Sequence, residues 1–264
     1  MRIVAAASDA GIGLTLLPVF YAHSDFGGAA PTQAQRRFIH GPDSFRALLR
    51  RLVENAPAAA RRRAAQPARG HAGRAGTVVK LGHGDIVDGP IHIHAAEQRS
   101  EVDACVAWSG ARPVEWLLDH AEIDARWCLV HATHMTADEA RRLAVTGAVA
   151  GLCPTTEADL GDGVFPAVEY LGARGRIGIG GDSHVGVDPF AELRMIESAQ
   201  RLTRERRNVL AQEGESSGLH LFPDGARRRS PSAGTTRGCD RGGRRADLVV
   251  LDSGRSGAPR AATD

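Results

Sequence analysis

The sequence is poor in cysteine and in aromatic residues, and it contains no long apolar run. Its four cysteines show no Cys-x-x-Cys spacing, which argues against a secreted disulfide scaffold. Cys128 and Cys153 fall in predicted strands, where we expect small core residues. No stretch reaches the roughly 18 apolar residues of a membrane span, and Ser8 and Asp9 interrupt the apolar start of the chain. We therefore expect a cytoplasmic protein with no membrane partner.

The sequence also has no large excess of charge of either sign, since its formal net charge is +2. Most of that excess comes from two segments rich in Arg, Ala, Gly and Pro, at 56–70 and 222–243. Such a composition buries too little apolar surface to offset the entropy of ordering, so we predict irregular chain at 56–88 and 223–243. We hypothesise that these segments arose because the coding frame was lost at the start of each segment and regained at its end. Nucleic-acid binding is the alternative, but the segments lack interleaved aromatic residues, and no nucleic-acid partner is expected.

Short apolar runs alternate with helical patterns along the rest of the chain. This alternation predicts βα units around a parallel sheet, which is an α/β fold. The chain has 264 residues, of which 42% are hydrophobic, enough for one barrel-sized domain. We predict helices at 3–10, 114–120, 136–146 and 189–212, and strands at 14–19, 91–95, 127–131, 148–154 and 176–182.

The run from Ile91 to Glu97 reads Ile-His-Ile-His-Ala-Ala-Glu. On a strand, this alternation puts His92 and His94 on one face and both isoleucines on the other. Imidazole is the commonest nitrogen ligand of zinc, and a catalytic zinc needs a proton carrier nearby that is not itself a ligand. The motif therefore favours a metal site with Glu97 as its acid and base. The alternative is a pair of satisfied core histidines.

Further polar residues follow the later strands. His94, His131 and Asp182 all fall near the carboxyl ends of their predicted strands, which is where a (β/α)8 barrel places its catalytic groups. Only three convincing strands follow the one that carries His94. If that strand is the fifth of eight, His131 lies on the sixth and Asp182 on the eighth, and the barrel can close. His134 and His184 lie on loops and are interpreted as bystanders that could line the pocket.

Several motifs together resemble a known family. The sequence is similar to the amidohydrolase superfamily and, within it, to the formimidoylglutamate deiminases of histidine degradation. The resemblance covers residues 1 to about 50, 89 to about 213 and, weakly, 244 to 252. The two most specific runs are Arg112-Pro-Val-Glu-Trp-Leu-Leu118 and Cys153-Pro-Thr-Thr-Glu157. The resemblance implies a zinc-dependent enzyme with a small-molecule substrate, which hydrolyses N-formimino-L-glutamate to N-formyl-L-glutamate and ammonia. It is also compatible with a homodimer.

The resemblance also implies roles for four residues. His94 and Asp182 would be zinc ligands, and Asp182 would also accept the proton of the attacking water. Glu97 would carry that proton to the departing nitrogen. His131 would orient the water or polarise the tetrahedral centre. His92 is interpreted as a core residue, a residue supporting the ligands or a further ligand.

This chain departs from the family pattern in two places. It has no strand-one His-x-His pair, which supplies two zinc ligands in the family, so we expect a fragment that lacks the first strands and binds zinc weakly. We assign residues 1–222 to a partial barrel and 223–264 to an irregular segment with a remnant of the small C-terminal β-domain. The family's fourth strand and its substrate-binding residues would fall within 56–88, but their sequence pattern is not recognisable there. Two other functions stay open: a guanine or cytosine type of deaminase, and a barrel remnant without activity.

Overall fold

The computed structural model describes residues 2–12, 14, 17–21, 23–55, 71–72, 90–211, 214–218 and 220–221. The strands are β1 (Val19–Phe20), β2 (His71–Ala72), β3 (Ile91–Ala95), β4 (Trp127–His131), β5 (Val149–Leu152) and β6 (Arg176–Ile179). The helices are α1 (Arg2–Asp9), α2 (Pro42–Asn55), α3 (Arg99–Ser109), α4 (Pro113–His120), α5 (Ala137–Thr146), α6 (Pro154–Leu160), α7 (Ala167–Gly172) and α8 (Pro189–Arg204). Two short 3₁₀ helices lie at Phe26–Gly28 and Gln33–Phe38.

The main sheet has four strands in the order β3-β4-β5-β6, and every neighbouring pair is parallel. Helices connect successive strands, as parallel pairing requires. β1 and β2 form a separate parallel pair. The predicted α/β class and the order of the last four strands are confirmed. Within the described residues these four strands form an open parallel arc of the barrel.

Capping residues in the sequence explain where several helices begin and end. Proline stands at the first position of α4, α6 and α8, where its missing N–H costs no intrahelical hydrogen bond. At the start of α5, Thr136 Oγ1 accepts from the N–H of Glu139, and the Glu139 side chain accepts from the N–H of Thr136. The same helix ends at Thr146 and is capped by Gly147, whose φ of 75° is left-handed.

The core lies between the outer face of the sheet and the helices. Ile93, Leu129 and Ala150 are completely buried there, and the helices contribute Val114, Leu117 and Leu143 to the same cluster. Near the amino-terminal end of the described chain, Phe20, Phe45 and Leu49 form a second, smaller cluster. Cys128 and Cys153 are buried free thiols in a third cluster on the inner face, as the sequence predicts.

Three predicted boundaries need correction. Of the strand predicted at 14–19, the described residues are paired at Val19, and the observed strand is Val19–Phe20. The helix predicted to reach 212 ends at Arg204, because Glu205 adopts left-handed backbone and its N–H caps the Arg201 carbonyl. β6 ends at Ile179, so Asp182 lies in the turn beyond the strand.

Part of the chain predicted to be irregular is a strand. His71–Ala72 form β2 beside β1, so the prediction of irregular chain at 56–88 is wrong at these two residues. The rest of that range, the segment 223–243 and the predicted β-domain remnant lie outside the described residues. No helix within the described ranges is long and apolar enough to cross a membrane.

Candidate active site

The carboxyl edge of the four-stranded sheet brings the four predicted site residues together. His94 lies on β3 and His131 at the end of β4, with their ring centroids 5.2 Å apart. Glu97 and Asp182 lie in the loops after β3 and β6. The Nε2 atom of His131 is 3.5 Å from Glu97 Oε1 and 4.0 Å from Asp182 Oδ2. Two imidazoles and two carboxylates from three strands therefore share one edge.

His131 is the centre of this group and is completely buried. Its Nδ1 atom is 3.2 Å from Glu157 Oε1, and Glu157 is itself 5% exposed. Its Nε2 atom is buried and has no hydrogen-bond partner among the residues that the structure describes. Buried polar atoms are normally satisfied, so the free Nε2 marks a position that a water, a substrate or a metal-bound group would complete.

Burial and neighbouring charges shift the pKa values of these groups in different directions. Burial, reinforced by the charge of His131, lowers the pKa of His94 from 6.5 to about 4, so its imidazole is neutral at pH 7. Burial raises the pKa of Glu97 against the opposing effect of His131. Burial opposes the charged form of His131, but its hydrogen bond to Glu157 and the charges of Glu97, Glu157 and Asp182 outweigh it and raise its pKa. A neutral imidazole can bind a metal, and a carboxyl group with a raised pKa can carry a proton.

The backbone at the strand ends is left-handed at residues that are not glycine. The φ angle is 52° at Ala96, 65° at His131, 49° at Ala132 and 44° at Asp182. Each such residue costs on the order of 1–3 kcal/mol and persists where the surrounding structure fixes it. By strand alternation His131 would share the outer face with Leu129, so the turn at His131 is what places its ring beside His94.

A carboxylate on α3 fixes the loop that carries Glu97. Glu101 accepts hydrogen bonds from the N–H groups of Ala96 and Glu97, at 3.0 and 2.9 Å. The loop therefore begins in a defined direction, which limits where the Glu97 side chain can point. The role of Glu101 was not predicted from the sequence, although its place four residues after Glu97, in the first turn of a helix, is a usable signal.

A side chain from α6 fixes the loop that carries Asp182. Thr156 Oγ1 lies 2.8 Å from Ser183 Oγ and donates to the Gly181 carbonyl at 3.1 Å. Thr155 donates through its hydroxyl and its N–H to the buried side chain of Glu192 on α8. In the Cys-Pro-Thr-Thr-Glu run, Thr156 thus bonds the Asp182 loop to α6, and Thr155 bonds α6 to α8.

The remaining histidines at this edge lie in different environments. His92 shares the inner face with His94 and is half-buried. His184 is exposed. Three buried atoms here, His134 Nε2, Thr133 Oγ1 and Asp162 Oδ2, have no hydrogen-bond partner within the described part of the chain. Gly163 packs against both His134 and Thr133. The prediction that His134 and His184 are bystanders is not tested by these positions.

The described residues offer only part of a metal site. Among them, no group of three or more His, Cys, Asp and Glu side chains is arranged to hold a metal ion. His94 and Asp182 have ligand chemistry suited to zinc, but a catalytic zinc has three protein ligands. The donors in this part of the chain therefore fit as two members of a larger set.

A cavity of about 270 Å³ lies between α6 and α8. Its wall is mainly apolar and includes Leu152, Phe165, Met195 and Ile196. His94, Glu97, His131 and Asp182 do not line it, but Glu157 does. The cavity therefore lies in the helix layer and adjoins the candidate active site at Glu157.

Comparison with known proteins identifies the family. The model of the amidohydrolase family matches residues 85–221, which is just over half of the chain and includes all four predicted site residues. The chain therefore belongs to the amidohydrolase family, as its strand order and the edge residues lead one to expect.

Within this family, the chain is similar to particular proteins. It is 46% identical to formimidoylglutamate deiminase from Pseudomonas aeruginosa over 261 residues, which cover 96% of this chain and 56% of the relative. The crystal structure of an amidohydrolase from Brucella melitensis superposes with a TM-score of 0.77 at 48% identity, covering 89% of this chain and 52% of that one. An adenosine deaminase from Xanthomonas campestris with bound zinc superposes with a TM-score of 0.63 at 19% identity, covering 90% and 53%. The chain thus spans about half the length of these proteins.

Proposed function

We propose that this chain is part of a zinc-dependent hydrolytic deiminase, which converts N-formimino-L-glutamate and water to N-formyl-L-glutamate and ammonia. The observation that carries the proposal is the 46% identity to a formimidoylglutamate deiminase over 96% of the chain. The meeting of His94, Glu97, His131 and Asp182 at one strand edge supports it, because this reaction needs a water activator and a proton carrier within reach of one carbon atom.

In this proposal His94 and Asp182 are two ligands of a zinc ion, and the resemblance places the other two on a strand-one His-x-His pair that this sequence does not contain. A neutral His94 supports this assignment, because only the neutral imidazole has a lone pair for a metal. The chemistry that zinc supplies when bound is activation of water, whose pKa it lowers from about 15.7 to about 7. With two ligands alone, zinc binding would be weak.

The protein side chains then divide the proton transfers. Asp182 accepts a proton from the attacking water as the new C–O bond forms at the formimino carbon, and Glu97 carries this proton to the formimino nitrogen. The remaining hydroxyl proton follows the same route as the C=O bond forms, so the nitrogen gains its second proton, the C–N bond breaks, and ammonia leaves. The raised pKa of Glu97 supports this role, because a carboxyl group that holds a proton more readily is the better proton carrier. His131, 3.5 Å from Glu97, orients the water or polarises the tetrahedral centre.

The test measures ammonia release from N-formimino-L-glutamate by two proteins. One is the 264-residue chain, and the other is the same chain completed with a strand-one His-x-His segment and a repaired fourth strand. We expect little or no turnover from the first and zinc-dependent turnover from the second. Guanine and cytosine as substrates test the other deaminase types that the sequence leaves open.

Two results would count against the proposal. Turnover of guanine or cytosine in preference to N-formimino-L-glutamate by the completed protein would reassign the substrate. Tight binding of one zinc by the 264-residue chain, with turnover, would show that the ligand set is wrong, and His92 would then be the first residue to examine as a ligand.

A further inference from the structure

Glu157 is a buried carboxylate at the candidate active site to which the proposed reaction gives no role. It lies one turn into α6, whose first residue is Pro154. Its Oε1 atom accepts a hydrogen bond from the N–H of Cys153 at 2.9 Å, and its own N–H donates to the Cys153 carbonyl at 2.9 Å. The side chain is thus fixed from both ends, and the same Oε1 atom lies 3.2 Å from His131 Nδ1.

This geometry indicates which nitrogen of His131 carries a proton. The Oε1 atom of Glu157 already accepts a hydrogen bond from the N–H of Cys153, so the ring nitrogen that faces the same oxygen is its matching donor. A proton on Nε2 alone would instead turn the lone pair of Nδ1 toward Glu157 Oε1, at a ring that is completely buried.

We propose that Glu157 is a positioning residue that keeps a proton on Nδ1 of His131 and so commits Nε2 to the reacting centre. The Nε2 atom is buried and unpartnered, and it faces Glu97 and Asp182 at 3.5 and 4.0 Å. With Nδ1 occupied, every proton that His131 gains or loses passes through Nε2. In the neutral ring, Nε2 is an acceptor that can orient the attacking water.

The location of Glu157 explains why it acts on His131 and not on the ligands. It approaches the ring from α6, on the side opposite Glu97 and Asp182, and its hydrogen bond leaves Nε2 uncovered. A partner that holds one imidazole nitrogen so that the other can act is a recurring arrangement in proteins. The assignment of Nδ1 follows from the structure alone, and its significance for turnover rests on the proposed function.

The test is a measurement of the His131 ring by NMR, with no substrate and no metal. The full chain, labelled with ¹⁵N at its 11 histidines, is recorded in long-range ¹H–¹⁵N correlation spectra at a pH where the His131 ring is neutral. The His131→Gln variant identifies the His131 signals by their loss. We expect a protonated, pyrrole-type Nδ1 and an unprotonated, pyridine-type Nε2. A protonated Nε2 with a bare Nδ1 in the unmodified chain overturns the proposal.

Three substitutions of Glu157 separate the hydrogen bond from the charge. Glu157→Leu removes the acceptor at similar volume, and the Nε2-protonated ring should become a populated form. Glu157→Gln keeps an oxygen for Nδ1 and for Cys153, so it should retain the original pattern. If Glu157→Leu fails to fold, Glu157→Asp replaces it, since the shorter side chain keeps the charge and withdraws the oxygen from Nδ1. An unchanged His131 pattern in a folded Leu or Asp variant contradicts the proposal.

Glu197→Leu is the matched control. Glu197 is an equally buried glutamate, at 5% exposure, but it lies on α8 and bonds to Arg201, Val209 and Leu210. Its loss should leave the His131 pattern unchanged. Because all these spectra are recorded without turnover, a failure of the deiminase assay leaves this inference standing, and a wrong pattern at His131 leaves the proposed reaction standing.

Discussion

In the helix layer, Glu139 and Glu197 are buried carboxylates whose oxygens accept hydrogen bonds from backbone N–H groups and from an arginine. Glu139 accepts from Thr136, Arg112 and Glu115 at 2.7, 3.0 and 3.1 Å. At the carboxyl edge of the sheet, Glu97 and Asp182 instead face the buried Nε2 of His131 at 3.5 and 4.0 Å. The first two carboxylates are surrounded by hydrogen-bond donors. The other two face the Nε2 atom of His131, which has no hydrogen-bond partner within the described residues.

The difference separates carboxylates that hold the structure from carboxylates that can react. Burial opposes the charge of Glu197, but its hydrogen bonds from Arg201, Val209 and Leu210 outweigh burial and lower its pKa. Burial dominates at Glu97 and raises its pKa. The donors around Glu197 favour its ionised form, whereas the burial of Glu97 favours its protonated form. Substitutions in the two regions should therefore affect different measurements.

The largest effect is expected at Glu97. In the protein completed with the strand-one segment, Glu97→Gln should lower turnover by about 10²-fold or more, because it removes the proton carrier and no ligand. Zinc content should be unchanged, and the free energy of unfolding should shift by no more than about 0.5 kcal/mol. The measurements are kcat, bound zinc and urea unfolding. Unchanged turnover would remove Glu97 from the mechanism.

Asp182→Asn is the matched variant for that experiment. Because Asp182 is assigned both as a ligand and as the acceptor of the water proton, its loss should lower zinc affinity and turnover together. Loss of turnover at full zinc content would confine Asp182 to the proton role.

The second effect is expected in the helix layer, at Glu139. Glu139→Gln removes the charge and exchanges an acceptor oxygen for a donor, so at least one of its three hydrogen bonds is lost. We expect a decrease of about 1–3 kcal/mol in the free energy of unfolding, measured by urea denaturation. The His131 signals in the ¹⁵N spectra should not change. An effect confined to the site, with normal stability, would contradict the distinction between the two regions.

The third effect concerns the pH dependence of stability at Glu197. Because its folded-state pKa is lowered, its stabilisation is fully present above the unfolded-state pKa of about 4.3. It is lost as the pH falls through the folded-state value. Glu197→Gln should lower the free energy of unfolding by about 1 kcal/mol at pH 6, and the difference from the unmodified chain should shrink toward pH 3. A difference that grows on acidification would show that the sign of the pKa shift is wrong.

The smallest effect is expected for an ion pair at the surface of the helix layer. Arg142 bonds to Asp119, and both side chains are well exposed, at 39% and 47%. Exposed pairs gain little because water screens them. Arg142→Ala should change the free energy of unfolding by no more than about 0.5 kcal/mol, measured in the same urea titration. A cost near that of Glu139→Gln would mean that exposure does not separate the two kinds of pair.

Much of the fold could be predicted from the sequence because its signals are local. Alternating Ile and His identify β3 and its inner face, and Thr136 and Gly147 delimit the predicted helix α5. The end of α8 could not be predicted, since the apolar pattern continues beyond Arg204 while the backbone turns at Glu205. β2 was missed because His71–Ala72 lie in a segment without apolar periodicity, and only pairing with β1 makes them a strand.

By itself, the sequence determined that the chain forms parallel βα units. It also determined that His94, Glu97, His131 and Asp182 lie at or just beyond the carboxyl ends of three of the strands. Strand alternation alone would have turned His131 toward the helices, on the face of Leu129. Only the tertiary structure decided that a left-handed turn at His131, with a φ of 65°, places the ring beside His94 and against Glu157. The physical reason is that strained backbone and a hydrogen bond between residues 26 positions apart exist only where the packed strands and helices hold both ends in place.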